Sequence, residues 1–507
     1  MSGLLPRFRL RRLAGWGVGL CLPAMALALL PLPYTLLALI AITLLLLSLI
    51  DPIWALYAAI LTVPLQRLIE LPGGLTPTQL ALLIAIVGSG AYALSHPEQP
   101  LRVGRPGMAL MVLLWVLLLS ASFSRFSLLE GLKESYRWAV ALLAFLIAYN
   151  RLSVDEVRRP WRSIGLLACL IGATAINAGY GLWQFFTASG PDSFLIAGGR
   201  FVRAYGSIGQ PNSFAGSLNI VWPLAAAFLL SAALFRLERP DVFCLGAAGW
   251  SGLAGAALGL SLILAALLAS FSRGGWLGAL AGVLALLLAG ASILNRQRRR
   301  WFRRALLAGG VVLVLLLGMG GSGLLPAPLA ARIAGIAGNL RLFDVRTVQV
   351  DPANFAVVER MAHLQAGWRM LRANPLLGVG TGNYNLAYEG GGAADRAYAL
   401  HPWYDSRGHA HNYYLHIAAE SGLLGLGAYL GLLGLLAYQS LLLLRKAQDW
   451  LWYALGAGSC GMIVAVAAHN LFEHLHVLNL GIHLAAVWGM LCAAEVVLNN
   501  RPVEPER

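Results

Sequence analysis

Charge is what this sequence has least of. Only 12% of its 507 residues are Asp, Glu, Lys or Arg, roughly half of what an ordinary soluble domain carries. Acidic residues are the scarcer kind, 22 against 37 basic ones, for a formal charge of +15. So little charge excludes a water-soluble surface of this size. Cysteine is also sparse. Cys21, Cys169, Cys244, Cys460 and Cys492 fall within or beside apolar stretches, and none has C-x-x-C spacing. That excludes a zinc-ribbon site and a disulfide framework. There is no soluble repeat array and no low-complexity tail. A basic balance would suit nucleic acid in a soluble chain. In an apolar one it reflects Lys and Arg held in cytoplasmic loops, where they set orientation. No nucleic-acid partner is expected.

What the chain has instead is apolar length: 59% of its residues are hydrophobic. A spanning helix needs about 20 apolar residues. Runs that meet this recur near 14–31, 33–50, 52–66, 78–95, 107–123, 136–150, 163–187, 212–236, 243–270, 275–294, 304–324, 411–443, 451–468 and 476–498. The expected fold is all-α, a polytopic membrane bundle of about 12–14 helices. Arg7, Arg9, Arg11 and Arg12 precede the first run. With no convincing small-residue cleavage site after it, that run reads as an uncleaved span. With the amino terminus inside, 22 of the 37 Lys and Arg fall in cytoplasmic segments and 15 outside, 8 of them in the long loop 325–410. Long loops cross regardless of charge, so short loops decide, and both termini are placed inside. We divide the chain into N-terminal spans (1–200), a core with the outer loop (201–440) and C-terminal spans with a short tail (441–507).

The outer loop is the one sizeable polar segment. Val357, Met361, Leu364, Trp368 and Leu371 recur at helical spacing and predict one buried helix face. Asn374-Pro375 stops that helix, and a glycine-rich turn, Gly378 to Asn383, follows. The loop is expected to cap the outer mouth.

Arg200, Arg203 and Arg273 stay outside against the inside bias, each near a span end and beside glycines. Either they snorkel at the interface, or their planar forks bind lipid phosphate. The run Gly206-Ser-Ile-Gly-Gln-Pro-Asn212 reads as a helix entry with Asn212 as N-cap, and a helix N-terminus also favours anions. His409-Ala-His411-Asn412 offers a proton acceptor near working pH, an interfacial hydrogen-bonding pair, or two metal ligands. No third ligand stands at a recognisable spacing, with His416, His469, His474 and His476 only candidates, so no metal is expected. Glu473, ionisable and close to membrane depth, either orients a histidine or pairs with an outer arginine.

These blocks resemble the O-antigen ligase and polymerase family of bacterial glycan assembly. The resemblance runs over about 200–430, through Arg203 to Asn212, Ser272-Arg-Gly-Gly-Trp-Leu-Gly278, Glu359-Arg360, Asn374-Pro-Leu-Leu-Gly-Val-Gly380, and His411, Asn412, Gly422 and Gly425. It implies a glycosyltransferase of the bacterial inner membrane with a periplasmic site. Such a protein moves a glycan from undecaprenyl pyrophosphate to a hydroxyl of a glycan, lipid A-core or protein acceptor, without a cofactor. Under it His411, Arg203 and Arg273 are catalytic, and Arg200, Tyr205, Asn212, Arg360, His409, Asn412 and Glu473 bind substrate. The competing class is a transporter or flippase of lipid-linked glycans. That class places its polar groups near the midplane, often in paired broken helices, and no halves of matching hydropathy are seen.

Overall fold

A computed structural model describes residues 31–71, 74–155, 160–240, 243, 246–304, 343–351, 354–390, 398, 400 and 408–500. The expected spans 14–31 and 304–324 lie almost wholly outside these. The other twelve are helices: α1 Leu32–Ile50, α2 Ile53–Thr62, α3 Pro77–Ser95, α4 Gly104–Ser122, α5 Leu128–Leu152, α6 Trp161–Thr187, α7 Pro211–Glu238, α8 Ala247–Ala269, α9 Arg273–Ile293, then α12 Tyr413–Lys446, α13 Trp450–His469 and α14 Leu480–Asn499. Between α9 and α12 come two cap helices, α10 Phe355–Ala373 and α11 Tyr384–Glu389. Ten of the fourteen are long and apolar enough to cross a membrane. The chain is a polytopic all-α membrane protein. Its one sheet among the described residues is a two-residue hairpin, β1 Leu195–Ile196 with β2 Phe201–Val202.

Helix starts follow local chemistry. Thr76 closes a capping box with Gln79 at α3, Ser127 caps α5, Ser272 caps α9 and Asn412 caps α12, each satisfying an amide that the first turn leaves open. The densest packing joins α7 to α13, α14 to α5 and α9 to α13. Small residues allow it: a methyl on Gly282 would meet Trp222 at 2.9 Å, and one on Gly458 the backbone of Leu224 at 2.9 Å. Without a hydrophobic drive between helices in lipid, such close approach is what holds spans together.

Contacts between loops sort them into two ends. At one, Asp51 binds Arg151 (2.8 Å) and Arg162 (3.0 Å), Asn150 brackets Arg102, and Arg298 meets Glu238 at 2.8 Å. At the other, Arg67 donates to the Ile208 carbonyl, Asn383 Oδ1 accepts from Ser127 N and Asn479 Nδ2 donates to Gln66 at 2.8 Å. Where described helices alone lie between the paired loops, as for Asp51 with Arg151, Asn150 with Arg102, Arg298 with Glu238 and Arg67 with Ile208, the loops are of the same parity, as alternating spans require.

The cap refines one expectation. Helix α10 ends at Asn374 as read, but its buried face is Val358, Met361, Ala362, Ala366 and Met370, while Trp368 is exposed. The apolar stripe is rotated by about one residue, because the small Ala362 and Ala366 let α10 seat closely among Tyr384, Tyr388 and the start of α12. The cap is then stitched to α12. Val379 N donates to Ala419 O and Gly380 N to Glu420 O, both at 2.9 Å, and Leu423 N to Pro375 O at 2.8 Å. These bonds require α12 to break its helix at Gly422, with φ +67° and ψ −167°. A methyl there would lie 2.1 Å from Leu376 carbonyl carbon, so the position takes glycine alone.

Candidate active site

Three segments of the second end converge. The first follows the β1–β2 hairpin. Arg203 donates Nε to Ser270 O at 3.0 Å and Nη2 to Asn212 Oδ1 at 3.1 Å, so its fork ties the hairpin to the turn before α9 and the start of α7. Asn212 is not the N-cap expected of it: Gln210 holds that place, with Pro211 first and Asn212 second in α7. The side chain is thereby freed from capping. Its Oδ1 takes Arg203, and its Nδ2 donates to Glu473 Oε2 at 2.8 Å.

Glu473 is the centre of the arrangement. Buried to 4% exposure, it accepts His409 Nε2 on Oε1 at 2.7 Å and faces His411 Nδ1 at 4.0 Å. Burial pushes its carboxyl upward, but the hydrogen bond from His409 and the charge of Arg360 outweigh that and hold it below the usual carboxylate range. It is an anion in the site.

The two histidines play unlike parts. His409 Nδ1 accepts the backbone N–H of His411 at 3.1 Å while Nε2 faces Glu473, so its proton sits on Nε2 and both nitrogens are engaged. His411 has φ +50°, a conformation uncommon outside glycine, and its buried Nδ1 has no hydrogen-bond partner. Burial lowers its pKa to about 3, against an upward pull from Glu473. The ring is therefore neutral, an acceptor. Burial likewise lowers His363, in the cap, to about 4 and His476 to about 3.

Arg203, Arg273, Asn212, Arg360 and Glu473 line one cleft with Ser272 and His469, about 40 Å³ in this unliganded form. That holds one or two waters. Arg273 opens α9 beside Gly274 and Gly275, where methyls would meet His469 (3.0 Å) and Ala215 (2.6 Å).

Four of the expected substrate residues, Arg200, Tyr205, His409 and Asn412, are outside the lining of this cleft, and so is His411; the two histidines adjoin it through Glu473. Arg200 lies over the Phe201 ring at 5.4 Å. Tyr205 donates its hydroxyl to Ser189 O at 3.1 Å, packing the hairpin. Asn412 caps α12 by accepting Leu415 N at 3.0 Å. Conversely, His469 belongs to the cleft wall, where Asn219 Nδ2 meets its Nδ1 at 3.3 Å, and His363 lies 5.9 Å from His411 ring to ring. Only His469 carried a sequence signal, its place at a span end.

The third ligand that the sequence spacing lacked is present in space. His409, His411 and Glu473 bring one donor atom each within 4.8 Å of one another. Two imidazoles and a carboxylate fit zinc in chemical type.

Residues 258–430 match the family model described as O-antigen ligase. The chain carries an O-antigen ligase domain. The match runs from α8 through Arg273, the cap and the histidine pair to the upper part of α12, so it covers one side of the cleft. No curated protein matches the chain at a comparable level. In this O-antigen ligase domain the spacing of His411 to Gly422 and Gly425 has a physical reason. Gly422 lets the cap backbone cross α12. A methyl on Gly425 would meet Ser421 Cβ at 2.4 Å, so this glycine gives the turn after the kink its room.

Proposed function

We propose that the protein transfers a glycan from undecaprenyl pyrophosphate to an acceptor hydroxyl, at the periplasmic face of a bacterial inner membrane. The observation that carries this is the meeting of Arg203, Arg273 and Arg360 around one cleft whose fourth wall is a carboxylate that holds His409 and faces His411. Three guanidinium groups at a membrane mouth suit a diphosphate delivered from the bilayer. The placement of this end outside follows from the Lys and Arg bias.

The acceptor hydroxyl attacks the anomeric carbon, and its proton passes to His411. The bond from that carbon to the diphosphate oxygen breaks, and its electron pair leaves on the lipid diphosphate. Attack from the face opposite the leaving group inverts the anomeric centre. Arg203 and Arg273, with Arg360, neutralise the departing charge, the electrostatic task that fixed donors perform best in a water-poor site. His411 is a weak base at rest. The incoming diphosphate brings negative charge beside it and raises its proton affinity toward the working range. Glu473 positions the pair: it fixes the His409 tautomer, and His409 anchors the strained His411 backbone.

Purified protein in detergent, treated with chelator and given lipid-linked donor and a defined acceptor, tests the reading. Transfer needs no sealed membrane if the protein is an enzyme, whereas a transporter would give no product. Wild-type transfer by all of His411→Ala, Arg203→Ala and Arg273→Ala would overturn it.

A further inference from the structure

Outside the long cap loop the cap end carries seven Lys and Arg, and the donor cleft uses two of them, Arg203 and Arg273. Three of the remaining five, Arg67, Lys133 and Arg137, line a second cleft of about 540 Å³ together with Gln66, Gln79 and Asn479. Each cation is held by one partner: Arg67 by Ile208 O, Lys133 by Glu130 at 2.6 Å and Arg137 by Glu134. Neither glutamate lines the cleft, and lysine and arginine keep further N–H donors beyond one bond. The other wall is apolar. Leu129 and Leu132 are 61% and 46% exposed on the flank of α5, and Tyr136 is 49% exposed beside them. The cleft thus offers cations, amides and an aromatic face above an apolar strip at the membrane edge.

Its floor is the back of both catalytic segments. Ile208, which Arg67 grips, sits in the turn that leads to Asn212. Gln66 accepts from Asn479, at the end of the loop that carries Glu473. A small cavity shares Arg137, Leu478 and Asn479 with the cleft and is walled further in by His476. From His476 the rings of Tyr413 (4.4 Å), His474 (4.8 Å from Tyr413) and His409 (5.7 Å from His474) lead to the site.

Building on the transfer reading above, we infer that this cleft seats the acceptor, an acidic lipid-anchored glycan. Arg67, Lys133 and Arg137 hold its anionic groups, the amides meet its sugar hydroxyls, and Leu129 and Leu132 meet its lipid. The donor and acceptor then approach the histidines from different sides of the 470–479 loop.

Binding of lipid A-core, which carries phosphate on its sugars, is measured on detergent-purified His411→Ala, with and without Lys133→Gln plus Arg137→Gln. The pair of substitutions is expected to raise Kd at least tenfold for lipid A-core and under twofold for its dephosphorylated form. Lys133→Arg alone, which keeps the charge, should bind as the parent does. Equal Kd for both chains, a loss that ignores the phosphates, or no binding by the parent overturns the assignment. So does displacement of the glycolipid by equimolar phosphatidylglycerol, which would make the cleft a site for bulk phospholipid. Because no turnover is involved, binding and transfer fail independently: a wild-type chain that moves no glycan would refute the function and leave the measured Kd values as they are.

Discussion

Asn212 and Glu473 stand 261 positions apart in the chain and 2.8 Å apart in the fold. Through that amide the carboxylate that holds His409 is joined to the guanidinium of Arg203. The acid-base half of the site and its anion-binding half are therefore one hydrogen-bonded unit. Glu473→Gln keeps the shape but removes the charge that His409 and the arginines face. We expect transfer to fall about 10²–10³-fold, as when one charge-stabilising group is lost, with the protein still folded. Steady-state kinetics with a thermal-unfolding control checks it, and a rate within threefold of wild type would remove Glu473 from the machinery.

The depressed proton affinity of His411 has a pH signature. A ring whose pKa is lowered to about 3 stays unprotonated as pH falls past the ordinary histidine value. Profiles of kcat/KM report the free enzyme and profiles of kcat the loaded one. The acid limb of kcat/KM should thus lie well below pH 6.5, and that of kcat at higher pH, since bound diphosphate raises the same group. Coincident limbs at pH 6.5 or above would contradict this.

Arg203→Ala and Arg273→Ala should each lower transfer about 10²–10³-fold without loss of expressed protein. Neutralising Arg298, Arg299 and Arg300, which lie at the opposite end with Arg298 on Glu238, should disturb insertion and leave the rate per folded molecule unchanged. Membrane-fraction yield and specific activity separate the two effects.

Zinc offers a probe of the histidine pair. If His411 must be free to take a proton, a cation bridging His409, His411 and Glu473 removes the base. Added zinc should inhibit, chelator should restore the rate, and His409→Ala should blunt the inhibition by weakening the site. Stimulation by zinc would instead make the trio a working metal centre.

Away from the site, Asp51 carries a buried charge cluster, with Arg151 and Arg162 on its two oxygens. Burial raises its pKa, but the Arg151 bond and charge, the Ile53 amide and Arg162 together bring it below its ordinary value. A depressed carboxyl contributes stability that is present above its unfolded pKa of about 3.9 and is lost as pH falls through the folded value. Asp51→Asn should cost roughly 3–5 kcal/mol by leaving the buried Arg151 uncompensated, while Arg162 keeps Asp155 at 3.4 Å. The melting temperature at neutral pH measures it.

The spans were legible because bilayer thickness imposes one length on every apolar run. The arginines and histidines of the site were legible as polar groups at span ends. Their grouping was not. Glu473 lies 62 residues beyond His411, and no local spacing reports a partner that only helix packing brings near. The same limit hid the third donor of the histidine pair. Asn212 misled for a different reason: proline at the first helical position put the cap at Gln210, two residues earlier than the amide suggested. On α10 the bulky residues pointed to one face, and the small alanines decided another.

The break at Gly422 has a consequence for the cap. Strand-like bonds from Pro375, Val379 and Gly380 fill the amide and carbonyl gaps that the broken helix exposes, and the helix fills theirs. Neither piece is complete alone. A water-soluble fragment cut from the cap would carry orphaned backbone groups along its whole inner edge, and should fail to fold unless the upper half of that span is excised with it.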